Sequence, residues 1–124
     1  MRSKSRAQLA RAKEIAATHG LTIERYDLLL CLLAAPDGSR TMSIGELGRH
    51  LHLQQTAVTE LVNRAESAGL VRRARSESDK RVTLVVLEDA AAQTTIRVFN
   101  LLGSGRSAFD DIVGDAGQRD SRER

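Results

Sequence analysis

Aromatic side chains are scarce in this chain of 124 residues: Phe, Tyr and Trp together make up 2% of it, and Trp is missing altogether. Proteins that hold RNA or single-stranded DNA stack bases on aromatic faces, and that mode has little to work with here. The one cysteine cannot close an intrachain disulfide. Cys31 lies in the apolar run Leu28-Leu29-Leu30-Cys31-Leu32-Leu33, where burial is expected to raise its pKa and leave a plain core thiol. No apolar stretch reaches the roughly 18 residues of a membrane span, and Leu28 to Ala35 is too short to span or to target, so a cytoplasmic location is expected. Metal chemistry lacks a ligand set. His50 and His52 stand two apart at the end of an expected helix, off a common face, with Cys31 elsewhere, and no metal or other cofactor is expected. Catalytic signals are missing too. Asp110-Asp111 falls in a tail-like segment, Gly103-Ser104-Gly105 has neither the lysine nor the helix of a phosphate loop, and no Ser/His/Asp set is implied. An enzyme is therefore not expected.

What the chain does have is concentrated between residues 43 and 87. In Ser43-Ile44-Gly45-Glu46 a hydroxyl precedes a carboxylate by three positions, so each side chain can satisfy a free N–H of a new helix. Leu47 and Leu51 give that helix an apolar face. After His52-Leu53 the chain turns, and Thr56 to Ala68 resume helical spacing, with Ala57, Val58, Leu61, Val62 and Ala65 expected inward. Gln55, Thr56, Thr59, Glu60, Asn63 and Arg64 are left outside. Amides, hydroxyls and a guanidinium on a helix that follows a short capped one have the chemistry to reach base edges in a major groove. A solvated helix of any protein is also polar outside, so this face alone leaves both readings open.

Gly69 then ends the helix as a left-handed cap does, and Leu70 to Arg75 and Val82 to Leu87 read as two strands around a charged loop. Helix, turn, helix, hairpin is the order of a winged helix. The loop carries Arg75, Lys80 and Arg81, more cation than a structural turn requires, and such a tip can enter a minor groove. Charge is spread to match. Met1 to Leu87 holds 14 basic and 9 acidic residues, against 5 and 7 from Glu88 to Arg124, so the basic excess lies where phosphate binding needs it.

The runs Ser43-Ile44-Gly45-Glu46-Leu47, Ala57 to Arg64, Ala68-Gly69-Leu70-Val71-Arg72-Arg73 and Asp79-Lys80-Arg81 together resemble the MarR family of winged-helix regulators. The resemblance covers about a third of the chain strongly, and its most specific part is the G-L-V-x-R step followed by D-x-R. It implies that Arg81 reaches into the minor groove while Asp79 helps hold the wing, and that Gln55, Thr56, Thr59, Asn63 and Arg64 meet bases and phosphates. Arg73, Arg75 and Lys80 complete the expected DNA contacts, Arg73 as a phosphate contact. Four positions depart from the pattern. Gln54 occupies the cap where Ser is commoner, Glu60 stands where a basic residue is frequent, Ala65 replaces a customary leucine, and Leu87-Glu88-Asp89-Ala90-Ala91 replaces an L-T-x-x-G step, leaving Asp89 as the expected cap of the last long helix.

The expected architecture is mainly α (α+β): a winged helix-turn-helix at 21–87, an N-terminal dimerisation helix within 1–20, C-terminal dimerisation helices within 88–114, and a polar, disordered tail at 115–124. Lys4 to His19 puts Leu9, Ala12, Ile15 and Ala16 on one side, and a later stripe has Ala92, Ile96, Phe99 and Leu102. Beyond the Gly103-Ser104-Gly105 break, Ser107 to Val113 offers a short helix with Phe109, Ile112 and Val113. These faces are expected to meet a second copy, the alternative being packing within one subunit, and the resemblance implies a homodimer as well. Two reading heads would then face an inverted repeat in double-stranded DNA, with half-sites roughly 10 base pairs apart, and an occupied promoter would be repressed. The resemblance also implies a small aromatic or anionic effector in the cleft between dimer helices and reading head, where His19, Arg25 and Tyr26 are candidates. The competing reading is a winged-helix module that binds protein, which Glu60 on the outer face supports.

Overall fold

The computed structural model describes residues 6–102. Five helices, α1 (Arg6–Thr18), α2 (Ile23–Leu33), α3 (Ile44–Leu51), α4 (Gln55–Ser67) and α5 (Asp89–Leu102), surround three short strands, β1 (Thr41–Ser43), β2 (Val71–Arg75) and β3 (Thr83–Leu87). The short helix expected at Ser107 to Val113 and the tail at 115–124 lie outside the described residues.

Helix α2 is the centre of the molecule. Its run from Leu28 to Leu32 is buried on every side, with Tyr26 two residues earlier, which is how a helix apolar around its whole circumference behaves in water. Thr22 starts it, its Oγ1 accepting from the Arg25 N–H at 3.1 Å. Leu47 from α3, Val58, Val62 and Ala65 from α4, Val71 and Val85 from the sheet, and Ala91, Ala92 and Val98 from α5 close around it. The core therefore joins the terminal helices to the central ones, and the polar half of α4 is left outside.

The sheet order is β1-β3-β2, all antiparallel. The β2–β3 hairpin is the expected one, in register from Val71 opposite Leu87 to Arg75 opposite Thr83. Strand β1 was not foreseen: three residues, with Met42 buried between two half-buried neighbours, pair with Val86, Val85 and Leu84. Its pairing covers the edge of β3 and fixes where α3 begins, because Ser43 is at once the last strand residue and the helix cap.

Two packing expectations need correction. Ala57 is exposed, because the inward face of α4 centres on Val58, Leu61, Val62 and Ala65, and position 57 falls about 100° from Val58 around the helix. Asp89 is the first residue of α5 rather than its cap, and its carboxylate stands 3.8 Å from the Arg40 guanidinium. On α5 the buried side is Ala91, Ala92, Thr95 and Val98, so Ile96 points away from the core and is 41% exposed. Leu9 and Leu101 are exposed to similar degrees, so the terminal helices pack on the subunit through one side and show apolar residues on the other. None of the described helices is long and apolar enough to cross a membrane.

Candidate nucleic-acid interface

The turn between α3 and α4 is built by backbone constraints. At the start of α3 Ser43 Oγ accepts from the Glu46 N–H at 3.1 Å while Glu46 Oε1 accepts from the Ser43 N–H at 2.9 Å, the reciprocal box expected from the sequence. At its end His52 takes the left-handed conformation, φ 59°, and the Leu53 N–H bonds to the Gly48 carbonyl at 3.0 Å. A β-carbon at position 48 would sit 3.0 Å from the Leu53 carbonyl oxygen, so the absence of a side chain there lets the two helices close on each other.

Helix α4 then begins at Gln54, whose backbone has cap geometry but whose side chain makes no capping bond. Gln55, Thr56, Glu60, Asn63 and Arg64 are exposed along it and Thr59 is half-buried. Gly69, φ 78°, reverses the chain into β2. The wing folds onto itself before any partner arrives. The Ser76 N–H bonds to the Val82 carbonyl at 3.2 Å, and Ser76 Oγ accepts from the Asp79 N–H at 3.2 Å. Arg75 Nη1 donates to the Lys80 carbonyl at 2.8 Å. Asp79 Oδ1 accepts from both the backbone N–H and the Nε of Arg81, each at 3.1 Å. The side-chain bond from Arg81, and then its backbone bond, hold the Asp79 carboxyl below the usual carboxylate range. The Arg81 side chain is nevertheless 89% exposed, a guanidinium aimed by one edge with the rest in water.

Arg73 is placed differently from Lys80 and Arg81. Its guanidinium is half-buried against α4, with Nη1 donating to Glu66 Oε1 and Nη2 to Asn63 Oδ1 at 2.6 Å. Two expected DNA contacts, Arg73 and Asn63, are thus brought into contact with each other, and Glu66 joins them. Glu66 carried no signal of its own in the sequence. Its spacing of three from Asn63, which puts both on one helix face, was the available clue.

His19, Arg25 and Tyr26, the effector-cleft candidates, differ in exposure within this subunit. Tyr26 is enclosed in the core, His19 ends the α1 turn with Nδ1 3.0 Å from the Ile15 carbonyl, and Arg25 is half-buried in the first turn of α2. A separate open depression of about 570 Å³ lies between the Pro36–Ser39 loop, Met42 and the Glu46–His50 side of α3, and includes none of the three. Cys31 is buried, and burial, with a smaller push from Asp27, raises its thiol pKa from an ordinary 9.0 to about 12. Among the described residues no three His, Cys, Asp or Glu side chains form a metal-binding group.

Helix α3, a tight turn, the polar-faced helix α4 and a two-stranded wing with an exposed arginine define a winged helix-turn-helix protein. The chain belongs to the MarR family, whose model matches residues 19–82. It is 36% identical over 77 residues to the HTH-type transcriptional regulator TtmR of Methylorubrum extorquens (strain PA1), a match covering 62% of this chain and 37% of that protein. It is 26% identical over 114 residues to the organic hydroperoxide resistance transcriptional regulator of Bacillus subtilis (strain 168), covering 89% of this chain and 75% of the relative. Among solved structures, reduced AbfR bound to DNA superimposes with a TM-score of 0.66 at 25% identity, over 94% of this chain and 85% of that one.

Proposed function

We propose that this chain is a transcriptional regulator that binds a specific double-stranded DNA sequence as a homodimer. The observation that carries the reading is the prefolded wing, with Arg81 held by Asp79 and still 89% exposed, beside a helix whose outward residues can read base edges. A DNA-bound relative of the same fold supports it. Gln55, Thr56, Thr59 and Arg64 are the base and phosphate contacts of α4, Arg81 enters the minor groove, Lys80 approaches phosphate, and Arg75, bonded to the Lys80 carbonyl, holds the loop that presents them. The exposed Leu9, Ile96 and Leu101 suit pairing of terminal helices between two copies, which sets two reading heads against an inverted repeat with half-sites about 10 base pairs apart. Occupancy of a promoter by such a dimer represses transcription, and a small aromatic or anionic effector that binds one spacing of the heads better than the other would release it. The work is binding rather than catalysis, carried out in the cytoplasm with no cofactor and no membrane.

Selection of bound duplexes from a randomised pool tests this directly. Wild-type protein is expected to enrich one inverted repeat, and Arg81→Ala to bind it more weakly by on the order of 1–3 kcal/mol. No enrichment at low salt would point instead to a module that binds protein, and an Arg81→Ala variant as tight as wild type would remove the wing from the interface.

A further inference from the structure

Side chains alternate along a strand, so Arg72 and Arg73 leave β2 on opposite faces. Arg72 turns toward the start of α5, 3.9 Å from Glu88, and Arg73 turns toward α4. There one guanidinium spans two acceptors three residues apart on the same helix face, Asn63 and Glu66. The planar fork of arginine suits that bridge, since two parallel N–H donors leave in one plane, whereas a lysine ammonium is a point charge. Arg75 follows Arg73 on the same face of the strand and binds the Lys80 carbonyl at the other end of the wing. A continuous path thus runs from α4 through Arg73, along β2 and through Arg75 to the wing tip.

We propose that Glu66, Asn63 and Arg73 form a brace that sets the angle between the reading helix and the wing, with Arg73 as a positioning residue rather than a phosphate contact. The inference rests on the DNA-binding reading above and gives Arg73 and Asn63, expected from the sequence as DNA contacts, a different role. The Glu66 carboxylate already neutralises Arg73, and a phosphate would have to draw the guanidinium away from two partners that hold it half-buried. Asn63, in turn, has its carbonyl oxygen fixed toward Arg73, so its amide plane is set before DNA arrives. Both helix and wing must meet one duplex at once, in adjacent grooves, and an error in their mutual angle costs affinity at every contact beyond the hinge.

The test has two arms, both on the full chain. In the first, Glu66→Ala, Arg73→Ala and the double variant are unfolded in urea without DNA. The brace requires coupling, with the double variant's unfolding constant differing from the product of the single effects by about threefold or more, and independent effects would overturn it. In the second, each variant is titrated with the duplex selected by wild type and with an unrelated duplex of equal length, over a range of salt. A brace predicts that Glu66→Ala weakens the selected duplex about tenfold although it removes a negative charge, and that Arg73→Lys is nearly as weak as Arg73→Ala, both with the wild-type salt slope. A phosphate contact predicts the reverse: tighter binding by Glu66→Ala, retained binding by Arg73→Lys, and a slope flattened by about one per site in Arg73→Ala. That second pattern would overturn the proposal. Wild-type protein with no preference for any duplex would overturn the regulator reading itself, and the first arm would still decide whether the brace exists.

Discussion

Replacing Gln54 with serine is expected to stabilise the protein by about 1 kcal/mol. Two helix starts lie only eleven positions apart, Ser43 at α3 and Gln54 at α4. Their backbones are nearly the same, φ −75° and ψ 162° at Ser43 against φ −72° and ψ 159° at Gln54. At Ser43 that geometry brings the hydroxyl oxygen to 3.1 Å from the N–H three residues on. A serine at position 54 would place its oxygen in the same relation to the Ala57 N–H, which has no side-chain cap from Gln54. The glutamine carboxamide carries one more methylene than asparagine and does not close the ring. Ala57 cannot return a bond as Glu46 does, so only half of a capping box is gained.

For a chain of this size, 1 kcal/mol corresponds to a rise in Tm of about 3–6 °C, measured at fixed protein concentration because a dimer's Tm moves with it. Ser43→Ala should move the other way by about 1–2 kcal/mol, since the hydroxyl that accepts from the Glu46 N–H is lost while the backbone N–H of position 43 can still donate to Glu46. Gln54→Ala is the control and should lie near wild type. If Gln54→Ser and Gln54→Ala melt together, the cap geometry at α4 has been misread, and with it the account of how the reading helix starts.

Cys31 should resist alkylation at pH 8 in the folded protein and react on unfolding, because its thiol pKa stands at about 12. The same shift makes stability fall in alkali. The unfolded chain loses the thiol proton above about pH 9 while the folded chain keeps it, so unfolding is favoured by roughly 1.4 kcal/mol per pH unit between 9 and 12, and a Cys31→Ala variant should lack this component of the pH dependence. Gly69→Ala should cost about 1–2 kcal/mol in urea denaturation, since φ 78° forces a β-carbon into the left-handed region although the space around it is open. Loss of less than a few tenths would mean that the α4–β2 reversal relaxes to another conformation.

What the sequence made legible was local. The Ser43–Glu46 box, the Gly69 reversal and the hairpin each depend on residues at most a few positions apart or on alternation within a strand, and all three stand as read. Strand β1 escaped because three residues carry no period, and it exists only through pairing with Val86, Val85 and Leu84, some forty positions later. Ala57 was misplaced because a periodic stripe has a fuzzy edge: alanine is as much at home on the solvent side of a helix as beneath it. The partners of Arg73 were hidden for another reason. Counting cations in a basic segment treats each as available to a ligand, whereas a folded chain can engage a guanidinium internally, and only tertiary geometry says which.

That distinction separates Arg75 from Lys80, neighbours in the wing that a charge count treats alike. Arg75 donates to the Lys80 carbonyl and closes the base of the loop, while the Lys80 side chain has no such partner among the described residues. Counterion release scales with the number of phosphates neutralised, at about 0.9 of a log unit per contact. In a dimer, Lys80→Ala should therefore flatten the plot of log affinity against log salt by about 1.8, and should weaken selected and unrelated duplexes alike. Arg75→Ala should leave that slope near the wild-type value yet weaken the selected duplex, because a loosened loop no longer aims Arg81. Titrations of both variants at four or five salt concentrations separate the two effects. Equal flattening by both would mean that Arg75 abandons the Lys80 carbonyl for a phosphate when DNA binds, and that the wing is reshaped on the duplex rather than presented to it.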